Sequence, residues 1–192
     1  MTTLRERLVF DTAQGAVRDG DRRYLLMRAD VLMGALRALE PAARGAMLAA
    51  MADVVRYHGG RSLDAYAEAA PGDPQALIDA TLAAAADLGW GRWMLQADAD
   101  GLHLVVQHSP FAAGWLMVDG DAGANAGALA DVSMDAATPA VAVCAPITGM
   151  LRALATRVRP APPGARLVVQ ESSCMAAGAD CCRFEARWTG AT

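Results

Sequence analysis

Three of the four cysteines in this 192-residue chain, together with one glutamate, fall where the chain could bring them to a single point. Glu171-Ser172-Ser173-Cys174 is followed eight residues later by Cys182, and Cys144 lies upstream at the head of a helix-like stretch. A tetrahedral zinc ion takes four such ligands, with thiolate sulfur at about 2.3 Å and carboxylate oxygen at about 2.0–2.2 Å. A Cys₃Glu set therefore closes the coordination sphere, and any fold that builds it must lay a late hairpin against an earlier helix. Glu171 near a strand end and Cys174 three residues on can turn to one point where the chain leaves the sheet. The returning strand brings Cys181 and Cys182 beside them. Adjacent residues of a strand face opposite sides, so only one of these two joins the site, and the hairpin alone does not choose.

The rest of the chain supports a folded, internally packed protein. Hydrophobic residues make up 54% and charged residues 20%, enough to build a core within one domain. All 17 basic residues are arginine, the net charge is −4, and the arginines are scattered, which argues against a nucleic-acid partner. No run reaches the roughly 18 uncharged apolar residues of a membrane span. Met1-Thr2-Thr3-Leu4-Arg5-Glu6-Arg7 lacks the layout of a signal peptide. A cytoplasmic protein is expected, and in a reducing compartment clustered cysteines are more often metal ligands than disulfides. The rival readings are buried thiols or a redox pair, and the Cys-x-x-Cys of the latter is absent.

Periodicity predicts an α+β fold in a single domain, 1–192, with helices packed on an antiparallel sheet and the C-terminal β-hairpin tied to a helix by the metal. Short strands are expected over about 7–28, turning at Asp19-Gly20. Helices should fill about 30–88: Asp30 to Leu39, Pro41 to Tyr57 closed by Gly59-Gly60, Ser62 to Ala70, and Pro74 to Leu88. A hairpin follows around Asp98-Ala99-Asp100-Gly101, and the Gly-, Ala- and Asp-rich run Asp119–Asp131 reads as a loop. Asp119, Asp121 and Asn125 lack the glycine and glutamate of a calcium-binding loop. Val141 to Arg159 should be a helix, and Leu167–Glu171 and Arg183–Trp188 the final strands, completing a sheet and metal-binding part over about 90–190.

The run Cys144-Ala145-Pro146-Ile147-Thr148-Gly149, then Glu171-x-x-Cys174, Gly178 and Cys182-Arg183-Phe184-Glu185, resembles the 4-vinyl-reductase domain family. That family also supplies the sensor module of phenol- and xylene-responsive transcription activators. Weaker similarity extends upstream through Tyr24-Leu25-Leu26 and Gly89-Trp90-Gly91. The resemblance implies a structural zinc on Cys144, Glu171, Cys174 and Cys182, with Cys181 left out, and a homodimer, since sensor members pair through this domain. The ATPase and DNA-binding segments of the sensors have no room in 192 residues. The free-standing members, small accessory proteins of bacteriochlorophyll synthesis, are suggested by Gln107-His108-Ser109-Pro110-Phe111-Ala112-Ala113.

The expected function is thus to bind or deliver a tetrapyrrole intermediate to pigment-synthesis enzymes. The alternatives are a sensor of small aromatic or apolar molecules acting through a partner, and a vinyl reductase as the family name implies. Reduction needs a hydride source, and no Gly-x-Gly-x-x-Gly follows a strand here, so the residues point to binding rather than catalysis. Candidate ligand-binding residues are Trp90, Trp93, Met94, His103, His108, Phe111 and Trp115, with His108 the candidate for a chlorin magnesium. Large aromatics also fill cores routinely, and a histidine at a strand end is commonly just exposed.

Overall fold

A computed structural model describes residues 2–98, 101–121 and 142–190. Ala99, Asp100 and the part of the expected loop beyond Asp121, Asn125 included, lie outside the described residues. The architecture is α+β, as the periodicity predicts. A short helix α1 (Leu4–Arg7) leads into a meander of β1 (Val9–Asp11), β2 (Ala16–Asp19) and β3 (Arg22–Tyr24), which form one sheet in that order. Helices α2 (Ala29–Arg37), α3 (Pro41–Ala69) and α4 (Pro74–Asp87) follow. The second sheet has the order β4-β5-β7-β6, all antiparallel, from β4 (Arg92–Ala97), β5 (Gly101–Gln107), β6 (Arg166–Ser173) and β7 (Cys182–Thr189). Between β5 and β6 run α5 (Pro110–Asp121) and α6 (Ala145–Val158), and a 3₁₀ turn, Met175–Ala177, joins β6 to β7.

The sheet register decides what faces inward. Val106 pairs with both Trp93 and Cys182, and Leu104 pairs with Leu95 and Phe184, while Phe184 also faces Glu171 across β6. Side chains alternate along a strand, so these rows share one face. That face carries the buried Trp93, Leu102, Leu104, Val106, Cys182 and Phe184, against which α6 sets Ile147 and Leu151. Full burial of one such side chain, Phe184, is worth roughly 1.5–3 kcal/mol. His103, Met94 and Glu185 fall on the outer face.

Three elements differ from the sequence reading. Gly59-Gly60 does not end a helix, because α3 runs unbroken from Pro41 to Ala69. A Cβ on Gly59 would sit 2.6 Å from Met150 Cε, and one on Gly60 3.0 Å from the Arg157 guanidinium, so these glycines serve the close approach of α6. Helix α5 was not foreseen over 110–121, where an apolar run with little periodicity leads into Gly and Asp; its signal is Ser109-Pro110, an N-cap followed by proline in the first turn. Finally, β3 ends at Tyr24, leaving Leu25, Leu26 and Met27 exposed beyond it. No described helix is long and apolar enough to cross a membrane.

Candidate metal centre and inner cavity

Helix α6 begins at Cys144, which is its N-cap and is fully buried. Cys174 caps the 3₁₀ turn and Cys182 opens β7, so the hairpin returns its two thiols to the head of α6. Strand β6 would not deliver Glu171 and Cys174 to the same side if it were regular. The register shifts between Glu171 and Ser173, so Ser172 is an extra residue that resets the alternation. The result is a cluster of Cys144, Glu171, Cys174 and Cys182 whose ligating atoms all lie within 4.8 Å of one another. Cys181 is half-buried outside it, with its carbonyl accepting from the Ser173 hydroxyl at 3.2 Å. Of the two adjacent cysteines, Cys182 is the one that the inward face of β7 brings into the cluster.

The distances fit a soft tetrahedral ion. The sulfurs of Cys144 and Cys182 are 3.6 Å apart, those of Cys174 and Cys182 3.9 Å, and those of Cys144 and Cys174 4.0 Å. Ligands about 2.3 Å from a central zinc would be separated by about 3.8 Å along a tetrahedral edge. Disulfide sulfurs lie about 2.05 Å apart, and all four thiols are free. Glu171 Oε2 accepts from the Cys144 backbone N–H at 3.1 Å, whereas its buried Oε1 has no hydrogen-bond partner among the described residues. An unsatisfied buried oxygen costs about 1–3 kcal/mol, and a cation at the centre of the cluster would use it.

The electrostatics agree. Four acidic groups this close cannot all ionise by themselves. The neighbouring Cys174 and Cys182 thiols, together with burial, hold Cys144 far above its usual range. Cys182 is depressed to about 4, because its hydrogen bonding with Cys144 and Cys174 and the Met175 backbone N–H donated to its sulfur at 3.4 Å favour its thiolate. Burial, reinforced by Cys174, raises the Glu171 carboxyl to about 8. A divalent cation reverses this balance by neutralising the charges that repel one another. Protons compete with the metal for the same atoms, so metal affinity must fall as pH falls. Competition against a chelator between about pH 8 and pH 6 is expected to show a steep loss of zinc affinity, with protons released on binding.

Ser109 is a functional neighbour that the sequence reading passed over. It is fully buried, and its Oγ lies 3.1 Å from Cys144 Sγ while also capping α5. A hydroxyl donated to a ligating thiolate fixes its orientation and disperses its charge. Ser109→Ala is expected to weaken zinc affinity about 10- to 100-fold in a chelator competition while the chain stays folded.

The proposed ligand-binding residues are spread more widely. Trp93 is buried and donates its indole N–H to the Trp90 carbonyl at 3.0 Å. Trp90 meets Phe111 edge-on at 5.5 Å between ring centres. Trp115 is buried under the guanidinium groups of Arg37 and Arg44, each 5.4 Å from its ring. His103 bonds Asp98 at 2.9 Å on the outer face of the sheet. His108 is exposed at the β5–α5 corner with φ 59°, a left-handed conformation uncommon for a residue with a side chain. Trp90 and Trp93 wall an inner cavity of ≈ 50 Å³ together with Leu63, Tyr66, Thr81 and Met150. The Thr81 hydroxyl is occupied by the Leu77 carbonyl, so the lining is mainly apolar.

No protein-family model matches the chain, and no curated protein matches it in sequence. Among solved structures, the phenol-responsive sensory domain of the transcription activator PoxR, determined with phenol, aligns with a TM-score of 0.67. The alignment covers 96% of this chain and 86% of that one at 14% identity, which establishes a shared fold. A trafficking protein particle complex subunit 3 from Naegleria fowleri, bound to palmitic acid, aligns at a TM-score of 0.44 and 11% identity, too distant to carry an argument.

Proposed function

We propose that this chain is a zinc-containing domain that binds a small apolar molecule in the inner cavity and passes the signal or the molecule to a partner. The observation that carries this reading is a tryptophan-walled cavity lined in part by Met150 of α6, the helix whose N-cap Cys144 belongs to the Cys₃Glu cluster. The fold shared with a phenol-responsive sensory domain supports it. The metal takes a structural part, since all four ligands come from protein and a closed sphere leaves no position for substrate.

Cavity size favours a small ligand. An engineered cavity of about 150 Å³ accepts benzene, whereas sites for drug-sized ligands run to about 300–1,000 Å³. At ≈ 50 Å³, a single ring is received only if flexible walls such as Met150 move aside, and a tetrapyrrole is far larger. Delivery of a tetrapyrrole in bacteriochlorophyll synthesis is supported by the Gln107–Ala113 and Cys144–Ile147 runs, and it requires a surface cleft rather than this cavity.

Three titrations of the zinc-loaded protein test the proposal. Saturable quenching of tryptophan fluorescence by phenol supports the small-molecule reading. Red-shifted absorption of a protochlorophyllide-type pigment, without phenol binding, replaces it with the pigment carrier. Loss of a vinyl group from that pigment with NADPH and the protein alone would make it a reductase.

A further inference from the structure

Leu4, Tyr66 and Ala84 each belong to the walls of two separate spaces. They line the inner cavity from one side and, from the other, an open groove of ≈ 390 Å³. The groove runs between α1, the end of α3 and the alanine-rich outer face of α4. The two spaces are therefore neighbours through a partition one side chain thick. Ala84 is short and fixed to the α4 backbone, so only Leu4 and Tyr66 can swing.

One leaf of the partition, Leu4, is also mounted on a lightly secured element. Helix α1 is one turn long, and Leu4 is its only buried residue. Its other ties are polar: Arg5 N–H to Asp87 Oδ2 at 2.9 Å and a capping box between Thr3 and Glu6, both exposed, and a half-buried pair of Arg7 with Asp19 at 3.1 Å. The remaining walls of the cavity come mainly from α3, α4, α6 and β4, including buried Leu63, Thr81 and Trp93, with Tyr24 of β3 and with Leu88 and Trp90 of the α4–β4 connection. Local opening concentrates where few apolar contacts hold a segment, which singles out α1.

We infer that small apolar molecules pass between solvent and the inner cavity through the groove beneath α1, with Leu4 and Tyr66 as the shutter. The inference rests on the proposed role of that cavity as a ligand site, and its test separates the two. Acrylamide, a small neutral quencher, reports access to Trp90 and Trp93 whether or not a ligand is recognised; Trp115 and Trp188 line neither space and supply a constant background. Leu4→Ala and Tyr66→Ala, which open the partition from α1 and from α3, are each expected to raise the dynamic quenching constant several-fold. Met150→Ala, which widens the cavity from α6, should leave it unchanged. Wild-type quenching in both shutter variants, with native circular dichroism, overturns the port, as does an equal rise in Met150→Ala. With phenol as probe, faster association and faster release in Leu4→Ala at a nearly constant Kd support the port. Phenol binding with unaltered rates removes the port and leaves the function standing. Absence of phenol binding alongside the expected acrylamide pattern does the reverse.

Discussion

Cys144→Ala is expected to strip the metal from the protein and to unfold, or nearly unfold, its C-terminal half. Of the four ligands, Glu171, Cys174 and Cys182 all belong to the β6–β7 hairpin and its connecting turn, and Cys144 alone comes from elsewhere. A metal held there would tie α6 to the sheet through that one sulfur, across 27 residues to Glu171 and 38 to Cys182. Structural zinc contributes apparent binding energies on the order of 10 kcal/mol, against total stabilities of about 5–15 kcal/mol. Most of that contribution goes with the single ligand from α6. Zinc content by atomic emission should drop from one ion per chain to near zero, and the thermal midpoint should match that of wild type stripped with EDTA. Cys181→Ala is the control, and it should alter neither. Full zinc content and an undisturbed midpoint in Cys144→Ala would show that the ion is not held through Cys144.

Gly149→Ala should be nearly as damaging for a different reason. Helices α3 and α6 cross so closely there that a Cβ on Gly149 would lie 2.1 Å from the Ala52 carbonyl oxygen and 2.9 Å from its carbon. The obstacle is backbone, which cannot turn aside as a side chain can. Relief requires the helices to separate, opening the packing around Ile147 and Leu151, which are fully buried. Overpacking of a well-filled core costs about 1–3 kcal/mol, and a backbone clash belongs at or above the top of that range. Gly45→Ala, in the same α3 helix, meets nothing within 4 Å and should stabilise by about 0.5–1 kcal/mol. Urea denaturation of the two variants should move the midpoint in opposite directions. A Gly149→Ala midpoint equal to that of wild type would mean that the crossing is looser than described.

The Cys₃Glu cluster was legible because its chemistry is sparse: few residue types could ligate a soft ion, and the chain holds four cysteines. The class of fold followed from alternation in the late strands and three- and four-residue steps in the middle. What escaped the sequence was governed by contacts between distant segments. Gly59-Gly60 carries the local signature of a helix end, yet it is used to admit Met150 and Arg157 of another helix, and local patterns hold no record of that partner. Helix α5 was hidden for the opposite reason. Its residues are apolar on nearly all sides, with Phe111, Ala112 and Trp115 buried, so no amphipathic stripe marks it. Ser109 was unreadable as a neighbour of Cys144 because the 35 residues between them give no hint of proximity. The aromatic residues were recognisable as apolar, while which ones face the cavity depends on a strand register that composition does not fix.

The additional residue at Ser172 bears on how chains with such a cluster can be recognised. In an unbroken β-strand, positions three apart project to opposite sides, so a Glu-x-x-Cys spacing records an irregularity as much as a ligand pair. A chain of this fold with no ion to hold would be free to lose one residue here and restore an ordinary ladder. The length of this short stretch, more than the identity of its acid, therefore tells whether a relative still has reason to keep its sulfurs together.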